Sequence, residues 1–157
     1  MSRIVVGTDG SSTAGEAVRQ AVDLAKSLGA SLVIVSAYTE QKPRDPATAY
    51  EPTLMEDDES AQLPDDVARA VGQRAGSVAS LEAAVALAAE AGVEDVTSVA
   101  RDGEPADAII TVAEETDADL IVVGNKGMTG AARFLLGSVP NKITHHAPCN
   151  VLVVRTT

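Results

Sequence analysis

The amino-acid sequence predicts an α/β fold, a three-layer sandwich in which helices cover both faces of a parallel sheet. Short apolar runs rich in β-branched residues alternate along the chain with longer stretches of helical periodicity, in the order βαβαβαβαβ. These runs are too apolar to leave one face in water, which is typical of parallel strands. Because 157 residues is about the size of one domain, we expect residues 1–157 to form a single domain.

The first strand and the helix after it follow from residue type. Residues 3–6 are a short β-branched run, and the turn at residues 7–11 ends it. Thr13 and Glu16 have the spacing of a capping box, and Gly29 is a typical C-terminal residue, so a helix should lie between them. This helix should bury one apolar stripe, which consists of Ala17, Ala21, Leu24, Ala25 and Leu28.

A second apolar strand at residues 31–37 is followed by a segment without a usable hydrophobic period. Residues 39–64 hold four of the seven prolines and an acidic cluster at residues 56–59, so we predict a mobile surface loop. The formal charge of the chain is -11, and residues 40–66 contribute -7 of it, from nine acidic and two basic residues. Such acidity argues against a nucleic-acid partner, because nucleic-acid binding needs a basic face.

The second half of the chain continues the alternation. A long helix should end near Gly92, and its apolar positions recur at helical spacings: Val67, Val71, Val78, Leu81 and Val85. Pro105 fits the first turn of a helix over residues 105–116, and Val139 and Ile143 indicate a short last helix. Three further strands are predicted at residues 96–100, 120–123 and 151–154.

Cysteine content and hydropathy predict a cytoplasmic protein without a membrane partner. Cys149 is the only cysteine, so no internal disulfide can form, which is typical of a reducing compartment. The first apolar run ends at Gly7 and is too short for a signal peptide. No apolar run approaches the roughly 18 residues that a membrane-spanning helix needs.

Two strands end in nearly the same sequence. Residues 4–10 read Ile-Val-Val-Gly-Thr-Asp-Gly, and residues 121–127 read Ile-Val-Val-Gly-Asn-Lys-Gly. In doubly wound, Rossmann-like sheets, ligands bind beyond the carboxyl ends of the strands, at the point where the strand order reverses. We therefore expect both turns to line one crevice.

The second of these turns begins a pattern that suits a polyphosphate. Gly124 and Gly127 let a ligand lie against bare backbone, and Gly137 opens the last helix, whose free N–H groups attract anions. A hydroxyl and two cations should add to this site: Ser138, Lys126 and Arg133. On the opposite turn, Asp9 is placed to meet ribose hydroxyls or to help hold a divalent ion such as Mg²⁺.

The residues alone leave plainer interpretations open. Glycines after strands are ordinary turn residues, Ser138 is an ordinary helix cap, and both Lys126 and Arg133 are consistent with solvated surface charges. His145 and His146 point in different directions on a helix, so we predict no metal site there. The glycine motifs of the large NTPase class, of dinucleotide-binding proteins and of the hydrolase nucleophile elbow are absent, and no catalytic residue is evident.

The motif Gly-x2-Gly-x9-Gly-Ser at residues 124–138 resembles the universal stress protein family, as do the early Val-Gly-Thr-Asp-Gly-Ser turn and the terminal Val-Leu-Val-Val strand. The resemblance covers the chain apart from residues 39–64, and the intact spacing is the signature of the family's ATP-binding branch. It implies a five-stranded parallel sheet of order 3-2-1-4-5 that holds an adenine nucleotide, ATP. It also implies a homodimer in which residues 151–154 pair with their copy.

The same resemblance implies roles for particular residues. Gly7 and Asp9 would meet the nucleoside. The backbone of Ala37 would recognise the adenine edge, and Val123 would line the base pocket. The phosphates would be contacted by Gly124, Gly127, Gly130, Gly137, Ser138 and Val139, with Lys126 and Arg133 as further candidates.

Several functions are compatible with the sequence. The first is a nucleotide-gated regulatory module in the stress response, in which bound ATP favours a state that binds a protein partner. The second is a slow ATPase or phosphotransferase, in which Asp9 positions a metal ion or water while Lys126 and Ser138 stabilise the transferring phosphate. A signalling receiver or a flavin carrier fits the sequence less well. A receiver needs paired acidic residues at the first strand, and this segment offers one, Asp9. A preference for AMP or cyclic AMP over ATP is also open.

Overall fold

Five parallel strands alternate with four helices in the part of the chain that the structure describes. This computed structural model describes residues 2–39, 65–125 and 136–155, and for residues 65–70 the backbone alone. The predicted mobile loop therefore lies outside the described residues, apart from Thr39. The elements are β1 (Arg3–Gly7), α1 (Ser12–Leu28), β2 (Ser31–Tyr38), α2 (Asp65–Ala91), β3 (Val96–Asp102), α3 (Pro105–Glu115), β4 (Leu120–Gly124), α4 (Ser138–His146) and β5 (Asn150–Val154).

The order of the sheet follows from its strand pairs. In the central strand β1, Val5 pairs with Val33 of β2 on one side and with Ile121 of β4 on the other. The outer strands β3 and β5 pair with β2 and β4, and all of these pairs are parallel. The resulting order β3-β2-β1-β4-β5 confirms the predicted 3-2-1-4-5 sheet. The strand order reverses between β1 and β4, where folds of this class bind ligands.

Alternate residues of the central strands contribute to two separate cores. Ile4 and Val6 belong to the core under α1 and α2, whereas Val5 belongs to the core under α3 and α4. Because helices cover both faces, the central strands carry apolar residues at consecutive positions instead of alternating with polar ones. The predicted three-layer sandwich is confirmed.

Helix α1 ends where the sequence predicts but begins two residues earlier. Gly29 adopts the left-handed conformation with φ 61° and closes the helix. At the other end the cap is Ser11, whose hydroxyl accepts from the N–H of Ala14 over 3.2 Å, so the predicted capping box at Thr13 is wrong. The helix buries Ala17, Val18, Ala21, Val22 and Ala25, and the prediction that Leu28 is buried is also wrong, since it is 62% exposed.

Helix α2 buries part of the predicted apolar set. Leu81 is buried and Val85 is partly buried, as predicted, whereas Val71 and Val78 are exposed. The side chain of Val67 lies outside the described residues. The face against the sheet consists mostly of small residues: Ser77, Leu81, Ala84 and Ala88. Apolar size alone therefore does not identify the buried positions of this helix.

Strand β3 departs from the expectation that the strands are too apolar to face water. Four of its seven residues are exposed. It forms one edge of the sheet, where the helices cover it incompletely. The expectation holds for β1, β2 and β4, which lie between two paired neighbours.

Candidate functional site

A crevice with a volume of about 130 Å³ opens beyond the carboxyl ends of β1, β2 and β4. It lies at the point where the strand order reverses, as the repeated turn sequence predicts. The residues that line it are Gly7, Thr8, Asp9, Ser11, Thr13, Ala14, Val35, Ala37, Pro105, Ile109, Val123, Gly124, Val139 and Pro140. Most of this wall is apolar side chain or main chain, which is typical of small-molecule sites.

The crevice brings together half of the residues that the sequence proposes for ligand binding. Six of them line it: Gly7, Asp9, Ala37, Val123, Gly124 and Val139. Gly137 and Ser138 lie directly before Val139, at the start of α4. The remaining candidates, Lys126, Gly127, Gly130 and Arg133, lie outside the described residues.

The turn after β1 is held by its own side chains. Thr8 donates its N–H to the carbonyl of Val35 over 2.9 Å, the last contact between this segment and β2. Gly10 then takes φ 80°, a conformation that favours glycine, and its N–H donates to the Thr8 hydroxyl over 3.2 Å. Asp9 accepts the N–H of Ser11 over 2.9 Å. The Asp9 carboxylate therefore shapes the turn, and its role toward ribose or a metal ion stays a prediction.

The end of β2 presents main-chain groups to the crevice. The N–H of Ser31 and the carbonyl of Val35 form hydrogen bonds on the β1 side of the strand. The N–H of Leu32 and the carbonyl of Tyr38 form theirs on the β3 side. Main-chain groups alternate sides along a strand, so those of Ala37 point toward β1. Ala37 lies two residues beyond the last β1–β2 pair, Gly7 with Val35. Its polar groups are thus directed into the crevice and not into the sheet.

Three helices begin at this crevice. Ser11 caps α1, Pro105 begins α3, and Gly137 caps α4 without a side-chain hydrogen bond. The N–H groups of a first helical turn lack partners within the helix, and the N-terminal end of the helix dipole is positive. Together the three ends make the crevice favourable for an anion. From the sequence, an anion site was predicted only at the start of α4.

A basic residue of α4 meets the acidic start of α3. Lys142 of α4 lies 2.8 Å from the Asp107 carboxylate and 3.5 Å from that of Glu104, both at the start of α3. The hydrogen bond with Asp107 raises the pKa of Lys142 above its ordinary value. The interaction joins the middle of α4 to the start of α3 at the surface.

The described residues contain no group of three or more histidine, cysteine or acidic side chains able to hold a metal ion. Among them, Asp9 is the single carboxylate on the wall of the crevice. In the described ranges, no helix has the length and apolar character required to cross a membrane.

Two solved structures resemble the fold closely. A universal stress protein in complex with cAMP is 33% identical in sequence, with a TM-score of 0.72 and coverage of 99% of this chain and 98% of that one. A universal stress protein from Archaeoglobus fulgidus in complex with dAMP is 22% identical, with a TM-score of 0.62 and coverage of 98% and 97%. The second likeness concerns the fold alone.

A curated relative and a family model identify the chain. The universal stress protein Rv1636 of Mycobacterium tuberculosis is 37% identical over 154 residues, which are 98% of this chain and 96% of the relative. The model of the universal stress protein family matches residues 1–155. This chain therefore belongs to the universal stress protein family.

Proposed function

We propose that this chain binds an adenine nucleotide, ATP, in the crevice and acts as a nucleotide-gated regulatory module of the ATP-binding branch of its family. The observation that carries the proposal is the convergence of three helix starts and the free end of β2 on one crevice. The helix starts suit the phosphates, and the strand end suits the edge of a base. The solved relative with bound cAMP supports an adenine nucleotide.

The base occupies the part of the crevice that lies over the strand ends. Val35, Val123 and Ile109 offer apolar surface to its ring faces, and each of them is at most 5% exposed. The main chain of Ala37 supplies a donor and an acceptor in the plane of the strand. Adenine presents a matching pair, because its amino group donates and its neighbouring ring nitrogen accepts.

The phosphates lie toward β4 and α4. The backbone of Gly124 ends β4, and Gly137, Ser138 and Val139 open α4, whose first-turn N–H groups have no partner within the helix itself. Lys126, Gly127, Gly130 and Arg133 stay predicted phosphate contacts. A Mg²⁺ ion in this arrangement has Asp9 and phosphate oxygens as ligands, which fits its preference for one or two carboxylates together with phosphate.

A regulatory role fits the wall of the crevice better than catalysis does. Among its described residues Asp9 is the only titratable side chain, and it already accepts the N–H of Ser11. A general base must reach the proton that it abstracts, and the described part of the wall holds no second candidate. Slow hydrolysis of ATP, with Asp9, Lys126 and Ser138 in the roles stated above, is the alternative that the experiment below separates.

Cyclic AMP is the second candidate ligand, favoured by the relative solved with cAMP. Its single phosphate carries one negative charge, whereas ATP offers several to the start of α4. A site whose affinity comes mainly from helix N-termini should prefer the more charged ligand. A preference for cyclic AMP would indicate that the base and ribose contacts dominate.

The proposal is tested by calorimetric titration of the full, ligand-free chain with ATP, AMP and cyclic AMP, with and without Mg²⁺. Saturable ATP binding without release of ADP is the expected result. Release of ADP during the titration would support the enzyme instead. Absence of binding by all three nucleotides at millimolar concentration would overturn the proposal.

We also propose that two copies pair through β5 and that the protein acts in the cytoplasm. β5 pairs with β4 on one side and forms the edge of the sheet on the other, and its Leu152 is exposed. An apolar edge strand without a partner promotes pairing with another chain. Light scattering should show a dimer that Leu152→Lys weakens, and a monomer at every concentration for the unaltered chain would overturn the pairing.

A further inference from the structure

A hydrogen bond joins α2 to the wall of the crevice. The Ser77 hydroxyl donates to the carbonyl oxygen of Ala37 over 3.0 Å. Ser77 is 6% exposed, so water competes little for this bond. We propose that Ser77 is a positioning residue that holds the Ala37 carbonyl in the orientation that selects adenine over 6-oxopurines. This inference rests on the proposed adenine-nucleotide function and names the source of its base selectivity.

The Ala37 carbonyl needs a partner because the sheet ends beside it. If the β1–β2 ladder continued past the pair of Gly7 with Val35, the N–H of Gly10 would donate to the Ala37 oxygen. The N–H of Gly10 is instead directed to the Thr8 hydroxyl, because the chain turns away at φ 80°. Ser77 supplies from α2 the donor that β1 no longer provides.

A carbonyl oxygen held in this way retains one acceptor position. It has two lone pairs, and Ser77 occupies one of them. The other can accept the 6-amino group of adenine. Hypoxanthine and guanine present an oxygen at that position, so two acceptors would face each other. Sites built to hydrogen-bond a particular polar group reject analogues that lack it, provided that the site cannot rearrange.

Other contacts also meet the end of β2. The Arg74 guanidinium lies 5.7 Å from the centre of the Tyr38 ring, and the Tyr38 carbonyl accepts the N–H of Gly103 over 2.8 Å. On its β3 side, β2 stays paired through Ala37 and Tyr38, so Ser77 acts on the carbonyl of a residue whose position the sheet already sets. The Ser80 hydroxyl, one turn later, donates within its own helix to the carbonyl of Gly76 over 2.9 Å. Ser80 is therefore a matched control that does not bond to β2.

The experiment compares the affinities of the full chain for ATP and for inosine triphosphate by calorimetry, in the unaltered protein and in Ser77→Ala, Ser77→Thr and Ser80→Ala. Loss of one hydrogen bond that orients the carbonyl should lower the ratio of the two affinities about fivefold in Ser77→Ala. Ser77→Thr keeps the hydroxyl and should restore the ratio. Ser80→Ala should leave it unchanged. Thermal unfolding of each variant establishes that it is folded.

Each outcome decides the inference. An unchanged affinity ratio in folded Ser77→Ala overturns it, including the case in which both affinities fall equally, because that pattern means a purely structural bond. An equal fall of the ratio in Ser80→Ala also overturns it. If the unaltered chain binds neither nucleotide, the proposed function fails first. If the unaltered chain binds ATP and the ratio does not respond to Ser77, only the role of Ser77 is wrong.

Discussion

The cavities at the two ends of the sheet differ in the helix ends that surround them. The crevice at the carboxyl end has a volume of about 130 Å³. At the amino end, a cavity of about 350 Å³ lies beside Gly29 and Gly92, where α1 and α2 end. Helix starts surround the first cavity and helix ends surround the second. The sign of the helix dipole, positive at the start and negative at the end, therefore separates them.

The hydrogen bonds at the amino end strengthen this contrast. The carbonyl of Ala25 accepts the N–H of Ala30 over 2.9 Å, and that of Ala88 accepts the N–H of Val93 over 3.1 Å. The last turns of α1 and α2 thus satisfy carbonyl groups within their own chain. The first turn of α4, in contrast, has no side-chain cap. The direction of the surrounding helices therefore distinguishes the carboxyl end of the sheet from the amino end as a place for an anion.

The largest expected effect comes from adding a methyl group at the phosphate end. Gly124→Ala and Gly137→Ala should each weaken ATP binding about tenfold or more, because the methyl group occupies space next to the phosphates. Gly137 has φ -59° and ψ 164°, which alanine adopts readily, so Gly137→Ala should fold normally. Calorimetry measures the affinity. Gly29→Ala, at the amino end of the sheet, is the control and should bind ATP normally. Normal ATP binding by both Gly124→Ala and Gly137→Ala would mean that the phosphates lie elsewhere.

A smaller effect is expected at two glycines with similar strain at opposite ends of the sheet. Gly10 and Gly92 have φ 80° and 88°, so alanine at either position should lower the free energy of unfolding by about 1 kcal/mol. Only at Gly10 would the added carbon come within 2.5 Å of the Ser80 hydroxyl oxygen. Gly10→Ala should therefore also weaken ATP binding, about threefold, by displacing the turn of Asp9. ATP affinity and denaturant unfolding are measured for both variants. An equal loss of ATP affinity in Gly10→Ala and Gly92→Ala would contradict the prediction that only the carboxyl end of the sheet binds the nucleotide.

The smallest effect is expected from the surface link between α3 and α4. Lys142→Met should weaken ATP binding about twofold, because exposed ion pairs contribute little. Lys26→Met, at the amino-end cavity, should have no effect on affinity. A twofold loss in both variants, or in neither, would show that Lys142 does not position α4.

The pH dependence of the same link has a definite sign. The partners of Lys142 raise its pKa in the folded state above the ordinary value of 10.5. Its contribution to stability is therefore complete below the unfolded-state pKa and is lost as the pH rises through the folded-state pKa. The stability difference between Lys142→Met and the unaltered chain should be constant near neutral pH and shrink only in strong alkali. Denaturant unfolding at a series of pH values measures it.

The helices and strands were predictable because local chemistry ends them. Gly29 and Pro105 mark a helix end and a helix start at the predicted positions. The consecutive apolar residues of β1 and β4 predict strands covered on both faces. The errors arise where several local choices have similar energy. Ser11 and Thr13 are both good helix caps, and in the structure Ser11 is the cap.

Part of the candidate site was also predictable. The repeated turn sequence places Gly7, Asp9 and Gly124 at one crevice, because the carboxyl ends of parallel strands share an edge of the sheet. Thr13, Pro105 and Ile109 were missed. They lie on two different helices, and nothing in their local sequence indicates that these helices begin beside the same strands.

The class of fold, the order of its elements and the turns that carry glycine could be predicted from the sequence, because propensity, capping and hydrophobic period act between residues close in the chain. Contacts between distant segments determine which apolar residues of α2 are buried, which carbonyl accepts the Ser77 hydroxyl and which three helix starts line one crevice. These features depend on residues far apart in the chain, such as Ser77 and Ala37. Such residues interact only after the sheet has formed and brought them together.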